Sequence, residues 1–164
     1  MIAIGIDPGS KYTGFGIIKK NNQNFDYIDS GIINLSKIND IQDKLKILYQ
    51  KLSNLIDEYS PDSIAVEDIF YAKNIKSTIK LGYVKGTVFL ISAHKNIKVY
   101  EYTPTNIKSS ITCNGRASKE AVRNMLKNLI NNLPVNYLKM DESDALSIAY
   151  CHLVTINFKN KINI

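Results

Sequence analysis

The sequence predicts an α/β fold, a mixed five-stranded sheet flanked by helices. Three observations predict it. The first 35 residues read as three strands joined by short polar turns, an antiparallel meander. Two short apolar strands follow, each separated from the last by a helical pattern, which is the signature of parallel crossovers. The remainder reads as helix to near the end of the chain.

Each element has a local reason. Residues 1–6 are a continuous apolar run, as in a buried central strand, and Asp7-Pro8-Gly9-Ser10 ends it. Gly14 to Ile18 and Phe25 to Leu35 supply the other two meander strands, with a polar turn at Lys19 to Asn24. Ile41, Leu45, Leu48, Leu52, Leu55, Ile56 and Tyr59 recur at spacings of three and four, an amphipathic helix. Asp40 is placed to cap it and Ser60-Pro61 to stop it. Ser63 to Glu67 is a short strand ending in an acid. Residues 75–94 read as helix despite Gly82 and Gly86, and Ile97 to Tyr102 as the fifth strand. Lys108 falls in a short helical or loop segment. Ser118 caps a helix through Ile130, with Val122, Met125, Leu126, Leu129 and Ile130 on its apolar face. Leu133-Pro134 breaks it, and a last helix opens at Asp141 and reaches about Phe158. One domain over 1–158 and a short tail over 159–164 are expected.

Composition narrows the class. The chain has 164 residues, 45% hydrophobic and 22% charged, ordinary for a soluble globular protein. It has no apolar run near the ~18 residues that a membrane helix needs. Its start reads as a strand rather than a signal peptide. Cys113 and Cys151 lack metal-ligand spacing and read as reduced thiols. A cytoplasmic location is expected. Net charge is +6, from 21 basic and 15 acidic residues. A basic chain of this kind suits a polyanion such as nucleic acid.

Against that basic background four acids stand out. Asp7 and Glu67 end strands, and ligands of open α/β sheets bind outside the carboxyl ends of strands. Asp141 and Asp144 are three apart at a helix start, about 60° apart around its axis. Four clustered carboxylates repel one another unless a cation shares them. All-oxygen ligation favours Mg²⁺, with Mn²⁺ as substitute, over zinc. Two such ions about 4 Å apart would clamp an in-line phosphoryl displacement. Asp141 and Asp144 also have a plainer reading as helix caps, and Asp7 as an Asx turn before proline, whereas a strand-end Glu67 is not usual turn chemistry. Asp68 and Glu142 are read as bystanders pointing elsewhere. The glycine-rich start, Asp7 to Gly16, resembles the phosphate hairpin of actin-like ATPases. An ATP-dependent phosphotransferase is therefore a rival reading, weakened by the short chain.

Four segments then carry a resemblance. They are Gly5-Ile6-Asp7-Pro8-Gly9-Ser10, Ala65-Val66-Glu67-Asp68-Ile69-Phe70, Ala72-Lys73-Asn74 and Asp141-Glu142-Ser143-Asp144-Ala145-Leu146. In order, spacing and total length they resemble the RuvC family of bacterial Holliday junction resolvases. The resemblance implies a ribonuclease H-like fold and a homodimer. It also implies paired, symmetric, Mg²⁺-dependent nicks in opposing strands of a four-way DNA junction, leaving 5′-phosphate and 3′-hydroxyl ends. Asp7, Glu67, Asp141 and Asp144 match the family's metal-binding acids. Many members carry two alanines where this chain has Glu142-Ser143.

The same resemblance extends to the DNA contacts. Phe70 matches an aromatic that would stack on a junction base, with Lys73 beside it for a phosphate. Lys108 and Lys119 match basic positions near the scissile strand. Arg116 is a further DNA-contact candidate from its loop position. Gly82 and Gly86, one turn apart, fit a close helix–helix contact, and their segment resembles the family's dimer helix; packing onto the chain's own sheet is the alternative. The branch-migration complex RuvA–RuvB is an implied partner. A non-catalytic junction-binding module and an RNA-processing nuclease remain as rivals. His94 is read as a surface residue, and His152, eight residues after Asp144 on roughly the same helix face, as a packing or solvent-facing one.

Overall fold

The computed structural model describes residues 1–68, 75–134 and 139–162. Its sheet has the order β3-β2-β1-β4-β5. The strands are β1 (Ile2–Asp7), β2 (Tyr12–Asn21), β3 (Asn24–Asn34), β4 (Ser63–Glu67) and β5 (Lys98–Tyr102). β1, β2 and β3 pair antiparallel, whereas β4 pairs parallel to β1 and β5 parallel to β4. The expected mixed sheet therefore forms, with β1 at its centre. The short β1–β2 link permits only a hairpin. The β1–β4 and β4–β5 pairs are joined through helices, as parallel neighbours require.

Period-two alternation sorts the strands onto two layers. Ile4 and Ile6 of β1 and Ile64 and Val66 of β4 face α1 (Ile41–Tyr59) and α2 (Ile75–Lys95). Ala3 of β1 and Ala65 of β4 face the other layer, made of α3 (Pro104–Thr112), α4 (Lys119–Leu129) and α5 (Met140–Ile162). Asp40 caps α1 by accepting from the Gln42 and Asp43 amides, and Ser60 ends it at φ 45°. Leu48 and Leu52 of α1 are fully buried. Each such side chain contributes about 1.5–3 kcal/mol of burial. Ser118 caps α4 by accepting from the Ala121 amide.

α5 packs closely on β1 and β2. Gly5 and Gly16 are registered partners across β1 and β2, and Gly14 is registered with Asp7. A Cβ on Gly5 would sit 2.1 Å from the Ala145 carbonyl oxygen, and one on Gly14 2.2 Å from that of Asp141. At Gly16 it would sit 2.7 Å from the Leu146 amide. Three bare backbone positions thus let α5 lie directly on the sheet, with its first turn beside the end of β1.

Several boundaries differ from the sequence expectation. β2 begins at Tyr12 and runs to Asn21, because pairing with β3 continues past the apolar stretch. α5 continues past Phe158 to Ile162, so most of the expected tail is helix. Met125 is 38% exposed, since α4 buries only a narrow face through Val122 and Leu126. Cys113 is exposed and Cys151 buried, and neither is bonded to the other.

Candidate active site

Strand alternation decides where the first two acids go. Asp7 continues the parity of Ala3 and Gly5, and Glu67 that of Ser63 and Ala65, so both face α5. The last registered pair of β1 and β4 is Ile6 with Val66, one residue before the two acids. Asp141 and Asp144 lie in the opening turns of α5, which the glycine floor seats against the same strand ends. All four acids line one cavity of about 160 Å³. Lys108 of α3 and Lys119 of α4 line it too, with Ile107, Val122 and Ile148 as apolar wall.

The electrostatics follow from this crowding. Burial pushes the Asp7 carboxyl up to about 7, aided by the charges of Asp144, Glu67 and Asp141 and opposed by Lys119. Burial, then the charge of Asp144, raises Glu67. Lys119 Nζ donates to Asp144 Oδ2 at 2.5 Å, and that bond raises the lysine in turn. A half-neutralised acid at a strand end, hemmed in by three more, is the environment that a hard cation relieves. The donor set is all oxygen, which suits such an ion. Among the described residues, no three acidic, histidine or cysteine side chains are drawn close enough to hold an ion as they stand. Binding would therefore have to pull the carboxylates inward against their repulsion.

The other expected site residues divide. Arg116 is exposed in the α3–α4 loop, its amide held by Asn114 Oδ1 at 2.9 Å, and it is not part of the cavity lining. Phe70, Tyr71 and Lys73 lie outside the described residues. Both bystander acids turn away from the cavity: Lys85 of α2 pairs with Asp68 at 3.0 Å, and Glu142 accepts from Ser30 Oγ at 3.5 Å. Gly82 and Gly86 are exposed, and an added Cβ would meet nothing within 4 Å. Packing onto their own sheet is thereby excluded. Ile75, Ile79, Tyr83 and Leu90 continue the same exposed side of α2.

His94 is exposed and bonds Tyr49 OH, as a surface residue does. His152 is fully buried and bridges two strands: Ser63 Oγ lies 2.7 Å from Nε2 and Tyr102 OH 2.8 Å from Nδ1. It ties α5 to β4 and β5, the strands beside the cavity. Helical spacing alone placed it on the Asp144 face. The polar Ser63 in an apolar strand was the signal for its partner.

The sheet order, with helices on both faces and acids at the carboxyl ends of β1 and β4, is that of the ribonuclease H-like fold. Residues 3–152 match the family described as crossover junction endodeoxyribonuclease RuvC. The chain is 39% identical to that enzyme of Pseudothermotoga lettingae, over 99% of this chain and 100% of the relative. It is 41% identical to the one of Christiangramia forsetii, over 92% and 78% respectively. Among solved structures it resembles Thermus thermophilus RuvC in complex with a Holliday junction substrate, with a TM-score of 0.89, 23% identity and 96% of each chain covered. The yeast mitochondrial Holliday junction resolvase Ydc2 matches at a TM-score of 0.68 and 15% identity, over 98% of this chain and 83% of that one. These two likenesses carry the fold. The chain belongs to the RuvC family of crossover junction endodeoxyribonucleases.

Proposed function

We propose that this chain resolves four-way DNA junctions by paired, symmetric nicks in opposing strands, leaving 5′-phosphate and 3′-hydroxyl ends. One observation carries the reading. In a chain of this family, acids from β1, β4 and α5 share a single cavity with Lys108 and Lys119.

Asp7, Glu67, Asp141 and Asp144 would hold two Mg²⁺ ions, with Mn²⁺ as substitute. When bound, the ions supply an activated water and neutralise charge on the leaving 3′ oxygen. The protein's own groups do the rest. Lys108 and Lys119 receive the scissile phosphate and offset its developing charge. Ile107, Val122 and Ile148 exclude bulk water from one wall, which strengthens those interactions. Asp7, pushed up to about 7 by burial and its acidic neighbours, would give up its proton as a cation binds.

Beyond the cavity, Phe70, Lys73 and Arg116 are assigned to junction contacts. The exposed α2 face around Gly82 and Gly86 is assigned to a homodimer, whose two-fold matches a junction needing two cuts. One nuclease domain, a cytoplasmic setting and work with RuvA–RuvB in recombination and repair complete the reading. None of the described helices is long and apolar enough to cross a membrane.

The test is incubation with a synthetic four-way junction, linear duplex and structured RNA, each with Mg²⁺. Symmetric junction nicking is expected, lost in Asp7→Asn while junction binding persists. Equal cutting by wild type and Asp7→Asn overturns the site. Preference for RNA overturns the substrate.

A further inference from the structure

A second cavity, of about 270 Å³, shares Asp141 with the first. It is lined by Tyr12, Ile32, Asn34, Lys139 and Asp141. We propose that it is a nucleotide subsite, which takes the base and phosphate of one residue of the cleaved strand next to the scissile phosphate. The inference rests on the junction-cutting reading above and adds to it the residues that place the strand.

The geometry comes from strand register. Tyr12 is paired with Asn34, and Gly14 with Ile32, across β2 and β3. Gly14 is the residue against which the Asp141 backbone packs, so this face of the hairpin looks toward the first turn of α5. The β2–β3 ladder runs two register pairs beyond that contact, to its open end at Tyr12 and Asn34. Tyr12 and Asn34 therefore form a ledge past the helix start, with Ile32 as its apolar floor. Asp141 lines this cavity and the four-acid cavity alike, so the two hollows are neighbours across that residue.

The chemistry of the ledge suits a nucleotide. Its volume falls just below the roughly 300–1,000 Å³ of small-molecule pockets, the scale of one nucleoside. Tyr12 is 45% exposed and offers a ring on which a base can stack. Asn34 Oδ1 accepts from the Ser36 amide at 3.0 Å and from Ser36 Oγ at 2.7 Å. That anchors the carbonyl end and turns the NH₂ outward as a donor. Exposed Lys139, a lining residue with Asp141, supplies the cation for a phosphate. A backbone phosphate is repelled by Asp141 and attracted by Lys139, which orients the nucleotide with its base over Tyr12.

The experiment has a protein arm and a DNA arm. In the protein arm, Tyr12→Ala and Lys139→Gln are compared with wild type for kcat/KM on a four-way junction, with melting temperature as the folding control. In the DNA arm, wild type is given junctions with a single abasic nucleotide stepped through positions on either side of the cut. Stacking of one base predicts about a tenfold loss in Tyr12→Ala. One abasic position should reproduce that loss in wild type and cost Tyr12→Ala nothing more. Tyr12→Phe, which keeps the ring, should lose less than Tyr12→Ala. Cleavage at the wild-type rate by both Tyr12→Ala and Lys139→Gln overturns the subsite, as does an abasic loss that simply adds to that of Tyr12→Ala. Failure of wild type to cut any junction instead overturns the function reading, so the two failures are distinct.

Discussion

Lys119 opens α4 and donates to Asp144 Oδ2 on α5 at 2.5 Å. The bond spans two helices across the mouth of the four-acid cavity. It makes Lys119 both a phosphate ligand and a restraint on the carboxylates. Lys119→Met should lower the cleavage rate at saturating junction by about 10²–10³-fold, the usual effect of removing one group that offsets developing charge. Because Lys119 opposes the upward push on Asp7, its loss should also move the acidic limb of the pH–rate profile to higher pH. An unmoved limb would show that the lysine does not act on Asp7.

Asp7 has a stability consequence of definite sign. Folding raises its carboxyl from 3.8 to about 7, so its proton binds the folded state more tightly. The associated stability is fully present below pH 3.8 and is lost as pH rises through 7. At about 1.4 kcal/mol per pH unit, the loss is at most about 4 kcal/mol, and relaxation of the acids reduces it. At pH above 7 in chelator, Asp7→Asn should melt above wild type by about 5 °C. The gap should close toward pH 4, and added Mg²⁺ should raise wild type more than the variant. A wild type that melts above Asp7→Asn in chelator at high pH would contradict the crowding of the four acids.

Gly14 separates placement from chemistry, because it carries no functional group. A Cβ there would sit 2.2 Å from the Asp141 carbonyl oxygen, a backbone atom that cannot swing aside. Gly14→Ala should push the start of α5 off the sheet at a cost of about 1–3 kcal/mol. A misplacement near 1 Å can reduce catalysis by about 10²-fold. Cleavage should therefore fall far more than the urea midpoint does. Full activity in Gly14→Ala would mean that the acids tolerate loose seating.

His152 sets the opposite pH slope. Burial holds its imidazole down to about 4 from 6.5, so the folded state resists its charging. The stability it contributes is fully present above pH 6.5 and is lost as pH falls through 4. In an Asp7→Asn background, which removes the opposing acid, wild-type His152 should lose about 3 kcal/mol across that window. His152→Leu should abolish that slope. It should also cost about 1–3 kcal/mol at neutral pH by leaving the Ser63 and Tyr102 hydroxyls without their buried partner. Urea titrations at several pH values read both effects.

The fold was legible because its elements announce themselves locally. Apolar spacing in 41–59, the Asp40 cap and the Ser60-Pro61 stop define α1 without reference to the rest of the chain. The strand-end positions of Asp7 and Glu67, and the pairing of Asp141 with Asp144, were legible for the same reason. What local pattern could not reveal was the end of α5, because Lys159-Asn160-Lys161 after Phe158 are polar and read as a tail although the helix runs through them. The broad apolar stripe expected for α4 also misled at Met125, since how wide a face is buried depends on the neighbour.

The sequence by itself determined the element types, their order and the strand-end positions of Asp7 and Glu67. Those properties follow from backbone period and side-chain polarity. Only the tertiary structure decided that the four acids share one cavity, because that distance depends on how closely α5 approaches β1 and β2. Gly5, Gly14 and Gly16 permit the approach, and they lie more than a hundred residues from the helix they admit. It also decided that Gly82 and Gly86 face open space, and that Tyr12 and Lys139 line one cavity with Asp141. Contacts of such long separation are set by packing between layers, which no local pattern encodes.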